Sequence, residues 1–426
     1  MKKYLSFIIG LFFISTSFGQ SYILHCGHII DCTDKSVKGE HSIIVKDGLI
    51  ESVVEGIVLP RGEYDIIDLK DKYVMPGFMD MHVHIEHQSG PKRYENRFRE
   101  DPADVALKAT TYCEKTLMAG FTLVRDLGGS GVNVSLRNAI NKGYVKGPRI
   151  YTCEKALGTT GGHADPTNGV RRDLKGDPGP KEGVVNSPED AYKAVRQRYK
   201  NGADVIKITA TGGVLSVAKD GMGPQFTDEE VRAVVKAAND YGMVTAAHAH
   251  GPEGMKRAVM AGIHSIEHGT LMTEEVMDLM IEKGTFYVPT ISAGHFVAEK
   301  AKQPGFYPSI IVPKALAIGP QIQETFAKAH AYGVKIAFGT DSGVSYHGDN
   351  AKEFELMVDS GMSAIDAIRS ATVTSAELLR ISDKAGTLEI GKWADIVAVS
   401  SNPLEDIKVL QDVKFVMKNG QVFKSE

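Results

Sequence analysis

The chain has 426 residues, a formal net charge of −4 and 42% hydrophobic residues. That length exceeds a single small domain but suits an α/β barrel, and the composition supplies a sizeable core with no low-complexity segment. The near-balanced charge lacks the basic patch or high pI that marks a nucleic-acid partner.

The N-terminus reads as a signal peptide over residues 1–19. Lys2 and Lys3 form the charged start, Leu5 to Ile14 the apolar stretch, and Ser17-Phe18-Gly19 a small-x-small cleavage site that leaves Gln20 first. The apolar run is too short for a spanning helix, and Cys26 lies too far beyond it to be a lipid-attachment site. The expectation is an exported, periplasmic or secreted enzyme with no membrane association after cleavage. Cys26 and Cys32 flank a short turn and are able to pair in an oxidising compartment, or to stay buried thiols like Cys113 and Cys153.

From Tyr22 to Asp71, short apolar/polar alternations broken by Asp-Gly predict strands and hairpins. The same texture returns in Ala394–Val399 and Val413–Val422, where Asn-Gly marks another hairpin. Both termini are therefore expected to build one small β-sandwich domain, residues 20–72 plus 386–426, around a central unit at 73–385. Within that unit, Gly repeatedly closes an amphipathic helix and a β-branched or aromatic run follows, as at Gly120, Gly147, Gly202, Gly242, Gly262, Gly284 and Gly333. With the run ending at His84, this makes eight strand–helix units, the pattern of a (β/α)8 TIM barrel. A doubly wound sheet is disfavoured because no Gly-rich dinucleotide fingerprint follows the first strand.

Barrel chemistry sits at the carboxyl ends of the strands. Strand one ends His82-Val83-His84, whose alternate residues share a face. Strand four carries Lys207 inside an apolar run, strand five ends His248-Ala249-His250, strand six ends at His268 and strand eight at Asp341. Singly, each has a plain alternative: an ion-pair lysine, a core histidine, a helix-capping aspartate. Together, five strands deliver metal-type ligands to one rim. A buried ammonium is costly, so Lys207 is expected to lose its proton readily. Its neutral amine then reacts with carbon dioxide to give a carbamate whose two oxygens are able to bridge two cations.

The set His82-x-His84, Lys207, His248, His268 and Asp341 resembles the amidohydrolase superfamily, in its binuclear carboxylated-lysine branch. Met75–His84, Ala247–Gly251 and Ser265–Gly269 resemble the imidazolonepropionase-like and Xaa-Pro dipeptidase-like zinc peptidase group, and Lys207 fits the peptidase side. The resemblance implies that His82, His84 and Asp341 bind the more buried of two divalent ions, zinc by donor type. It implies that His248 and His268 bind the second, with carboxylated Lys207 between them. His250 is assigned to substrate contact.

Two cations about 3.5–4 Å apart lower the pKa of a shared water, giving hydroxide that attacks an amide carbonyl. Asp341 is the expected catalytic residue, taking the proton and passing it to the leaving amine. The expected substrate is a dipeptide such as Xaa-Pro or an N-acyl amino acid, with His163 receiving its carboxylate. Arg171 and Arg172 lie on the long loop that follows, and His295, Tyr346 and His347 after strands seven and eight are candidates to line the pocket, with a charged surface loop as the plain alternative for all five; the Gly/Pro-rich stretch 164–187 is expected as a movable lid. The rival enzyme reading is hydrolysis of a cyclic amide, lactone or phosphoester on the same metals. The rival from another class is an exported binding protein on a relic barrel. Self-association into a homo-oligomer is compatible with such a barrel.

Overall fold

The computed structural model describes residues 21–60, 62–217 and 221–426. The expected signal peptide at 1–19 lies outside them.

Four early strands, Tyr22–Ile29 (β1), His41–Lys46 (β2), Leu49–Glu55 (β3) and Asp65–Pro76 (β4), lead into the barrel. The barrel strands are Phe78–Val83 (β5), Phe121–Asp126 (β6), Arg149–Thr152 (β7), Val205–Thr209 (β8), Val244–Ala249 (β9), Ser265–His268 (β10) and Phe286–Val288 (β11). Ile396–Val399 (β12), Phe415–Lys418 (β13) and Gln421–Ser425 (β14) return to the first group.

The termini form one hydrogen-bonded sheet of seven strands, ordered β14-β13-β12-β4-β1-β2-β3. It bends over a shared core, with Leu24, Ile43 and Val45 packed in the same cluster as Ile396, Phe415 and Met417. Ala394 N donates to Gly48 O at 2.9 Å and Ile50 N to Lys392 O at 2.9 Å, pinning the two ends of the sandwich together. β4 stays in this sheet as far as Pro76, which pairs with Ile396. The domain boundary expected after residue 72 therefore falls inside a strand, because the sheet register runs on until Gly77. All four cysteines are free and buried, so the Cys26–Cys32 pairing left open by the sequence is not formed.

In the barrel, β5, β6 and β7 pair in parallel, as do β8 to β11. Two junctions close the ring. Asp204 N donates to Thr152 O at 2.7 Å and Leu157 N to Lys207 O at 2.8 Å, joining β7 to β8. The eighth strand, expected over 335–341, pairs only by bridges. Tyr287 N donates to Lys335 O at 2.8 Å, Met81 N to Phe338 O at 2.8 Å and Asp341 N to His82 O at 2.7 Å. Gly339 and a left-handed Asp341 (φ 55°) interrupt its regular ladder.

The helices follow the sequence signals. Thr227 caps Asp228–Asp240 through a reciprocal capping box with Glu230. Gly333, at φ 94°, ends Val312–Tyr332 in the left-handed conformation that favours glycine. The helices pack apolar faces on the strands, and the largest core cluster runs from β8 through β10 into Val231, Val234 and Ala238. No helix among the described residues is long and apolar enough to cross a membrane.

Candidate active site

A cavity of about 340 Å³ opens at the carboxyl end of the barrel and is lined by His82, His84, Lys207, His248, His268 and Asp341. His163 and His250 also line it. Every sequence-predicted ligand and substrate contact thus faces one space. Of the further candidates, none lines the cavity, and Arg171 and Arg172 follow the surface-loop alternative. Arg171 is exposed and paired with Asp173 at 2.7 Å, and Arg172 is exposed. His295 bonds Gln323 at 2.7 Å, and Tyr346 packs edge-on against Phe296. His347 is buried with its Nε2 2.9 Å from His87 O. Sitting on the loop after a strand gave these residues the right neighbourhood but the wrong direction. The stretch 164–187 supplies one wall through Ala164, Asp165 and Pro166, and Arg97 Nη2 donates to Pro166 O at 3.0 Å.

The histidine orientations are set from outside the cavity. His82 Nδ1 lies 2.9 Å from Glu267 Oε2, and His84 Nδ1 lies 2.8 Å from Gly128 O. His268 Nδ1 lies 2.7 Å from Thr290 Oγ1, and His250 Nδ1 lies 2.9 Å from Thr270 Oγ1. In His248 the roles reverse, with Nε2 3.0 Å from Gly212 O. One ring nitrogen of each is thereby tied to the protein, which fixes the other as a ligand or acceptor, the usual support around a metal. Burial keeps four of these rings neutral: it lowers His82 and His250 to about 4, and His248 and His268 well below the ordinary value, whereas at His84 burial is outweighed by the Asp341 carboxylate, which raises the pKa. A neutral imidazole is the metal-binding form.

Glu267 was missed by sequence reasoning. It is fully buried and also takes Arg125 Nη2 at 2.9 Å. Burial pushes its carboxyl up, but Arg125 and His82 outweigh that and hold it at about 2. The signal was available: Arg125 stands in the apolar run Phe121–Asp126 as Lys207 stands in its own, and both are charges inside a barrel.

Asp341 Oδ1 lies 3.3 Å from His84 Nε2 and 3.6 Å from His82 Nε2, and makes no hydrogen bond although buried. Burial raises its pKa, yet His82, His84 and Lys207 bring it below the ordinary carboxylate value. His82, His268 and Asp341 offer ligand atoms within 4.8 Å of one another. His268, assigned by the resemblance to the second ion, thus also reaches the set expected for the first. Lys207 is 3% exposed, forms no ion pair or side-chain hydrogen bond among the described residues, and has a pKa lowered chiefly by burial. A buried carboxylate oxygen without a hydrogen bond, an amine without an ion pair and oriented, mostly neutral imidazoles fit a divalent-cation site.

Three of the positioning residues sit in the left-handed region: His268 at φ 69°, Thr290 at 57° and Asp341 at 55°. None is glycine, and each such residue costs about 1–3 kcal/mol. On a regular strand Glu267 and His268 would point to opposite faces. The turn at His268 is what lets both serve one site.

The amidohydrolase family pattern matches residues 73–423. The chain belongs to the amidohydrolase family.

As an amidohydrolase it is a hydrolase acting on C–N bonds, which removes the relic-binding-protein reading. It is similar to a crystal structure of a Xaa-Pro dipeptidase with bound methionine in the active site, at 54% identity and a TM-score of 0.93, covering 95% of this chain and 100% of that one. A prolidase complexed with N-methylphosphonate-L-proline is 31% identical with a TM-score of 0.87, covering 96% and 100%. Ochratoxinase of Aspergillus niger is 31% identical over 439 residues, covering 96% of this amidohydrolase and 88% of that protein.

Proposed function

We propose that this amidohydrolase cleaves the amide bond of a dipeptide, Xaa-Pro or similar, or of an N-acyl amino acid, using two divalent ions. His82, His84 and Asp341 would hold one ion and His248 and His268 the other, with Lys207 between them as its carbamate. Zinc suits this imidazole-rich donor set. The observation that carries the reading is Lys207: a buried amine that makes no ion pair among the described residues, in a cavity ringed by oriented histidines that burial keeps mostly neutral. A lysine that loses its proton easily can add carbon dioxide at Nζ, releasing a proton and gaining a bridging anion. The bound ions would supply Lewis acidity at the scissile carbonyl and make water nucleophilic near neutral pH.

The protein's own groups do the rest. Asp341 is ionised at neutral pH and its Oδ1 makes no hydrogen bond, so it would accept the proton of the attacking water and deliver it to the leaving nitrogen. An amine leaves poorly without that proton. Glu267 holds His82 in one tautomer, and Arg125 keeps Glu267 ionised. His163, half-buried with its Nδ1 buried and unpartnered, stacks on His248 at 4.4 Å and is placed to donate to substrate.

The test is a panel of dipeptides, N-acyl amino acids, lactones and phosphotriesters given to zinc-loaded protein, with metal analysis of the same sample. Turnover of the amides and about two ions per chain are expected. Turnover confined to lactones or phosphotriesters, or fewer than about one ion per chain at saturation, would reject the reading.

A further inference from the structure

We infer that Arg93, with Arg97 and His87, forms the subsite that takes the free carboxylate of the amino acid released by the reaction. The inference rests on the amide-hydrolase reading of the same cavity and identifies what makes its substrates a class: they end in a carboxylate.

Arg93 and Arg97 stand one turn apart on the helix Arg93–Arg99, and both line the cavity. Neither makes an ion pair among the described residues. Arg93 is half-buried, and its Nη1 is fully buried with no hydrogen-bond partner. His87 lines the same wall, and its Nε2 is likewise buried and unpartnered. A guanidinium nitrogen desolvated without an acceptor costs free energy comparable to a lost charged hydrogen bond, so an acceptor is expected from elsewhere.

The cavity's own acids do not provide it. Among the described residues the only acid in the lining besides Asp341 is Asp165, and both of its oxygens are occupied. Oδ2 takes Gly161 N at 2.7 Å, while Oδ1 takes Thr167 N at 2.8 Å and Thr167 Oγ1 at 2.7 Å. Among the described residues the wall therefore carries the unpartnered Arg93 guanidinium, with the exposed Arg97 beside it donating to Pro166 O, and no anion with an unoccupied oxygen. A carboxylate matches the planar fork of an arginine, whereas a neutral amide does not.

The position is also right. The His87 ring stacks on His84 at 5.3 Å, so this wall adjoins the metal-type ligands. In a leaving α-amino acid the carboxyl carbon is two bonds from the scissile nitrogen. A carboxylate held beside His87 keeps that nitrogen near Asp341. His163, the residue expected from the sequence to receive the carboxylate, is left to the acyl side.

The experiment compares kcat/KM for an Xaa-Pro dipeptide and an N-acetyl amino acid with the same compounds bearing a C-terminal amide, in wild type and Arg93→Met. The wild type should lose on the order of 100-fold with the amides. Arg93→Met should lose about as much with the acids and show almost no further loss with the amides. Amides and acids cleaved within about 3-fold by the wild type would overturn the subsite while leaving the hydrolase reading intact. So would an Arg93→Met enzyme that still discriminates. If Arg93→Met does not fold, Arg93→Lys and the wild-type comparison decide. If no amide bond is cleaved at all, the hydrolase reading fails, and calorimetry of N-acetyl amino acids against their amides judges the subsite alone. Equal affinities would then overturn it.

Discussion

The hydroxyl of Thr290 lies 2.7 Å from Nδ1 of His268. If Nε2 of His268 serves as a metal ligand, as proposed, Nδ1 carries the hydrogen and donates it to Thr290. This contact has a cost elsewhere. Thr290 occupies the N-cap position of the helix Ile291–Ala301, at φ 57° and with its side chain not capping that helix. Glu353, from Lys352–Asp359, accepts instead from Ile291 N at 2.7 Å and Ser292 N at 2.8 Å. Site and scaffold are thus linked: a residue spent on a histidine is replaced by a carboxylate from another helix.

Thr290→Val keeps the shape and removes the acceptor. Zinc affinity, read by competition with a chromophoric chelator, should fall about 10–100-fold with the far-UV spectrum unchanged. Unaltered affinity would show that Thr290 does not orient His268.

Glu353→Ala strands two N–H groups at a helix start, one buried (Ile291) and one half-buried (Ser292). Urea unfolding should show a loss of about 2–4 kcal/mol. A loss below about 0.5 kcal/mol would mean that water or another group caps the helix equally well.

Lys207→Ala should abolish most activity and lower bound metal, with partial recovery in formate or acetate, which can stand in for the carbamate. Metal content equal to wild type would remove the bridging role.

Gly213→Ala tests the seat of His163. A Cβ at residue 213 would stand 2.2 Å from His163 Cε1, and the ring, stacked on His248, is packed tightly there. Turnover should fall on the order of 10-fold or more, since displacing a positioned group by about 1 Å is that costly. An unchanged kcat/KM would show that His163 moves freely.

Lys418 gives a pH dependence away from the active site. Burial, reinforced by Arg149, lowers its pKa from 10.5 to about 8. Between those values the unfolded chain binds more protons than the folded one, so stability rises with pH over that window. Relative to Lys418→Met, the wild type should gain stability from pH 8 to 10, measured by denaturant unfolding. A difference constant with pH would place the pKa near its ordinary value.

Several features of the site were legible because they are local. His82-Val83-His84 announces a shared strand face, and Lys207 is conspicuous as a charge within an apolar run. Arg125 and Glu267 carried the same kind of signal and were readable in principle. Arg93, Arg97 and Glu353 carried none: an arginine on a short polar helix or a glutamate in an amphipathic one looks like any surface charge. Arg171 and His295 misled for the complementary reason, since loop position says where a residue starts and not where it points.

By itself the sequence determined the alternation of strand and helix, the barrel it implies, the sheet built from both ends, and the residue types offered at the strand ends. These follow from periodicity, glycine stops and side-chain chemistry, which act over a few residues. Only the tertiary structure decided which ring nitrogen of each histidine is tied down, which charges stay unpaired, and how His268 and Glu267 share one site despite adjacent positions. Those depend on left-handed backbone turns and on partners far away in the chain, such as Glu267 185 residues from His82, where hydrogen bonding and burial are settled only after packing.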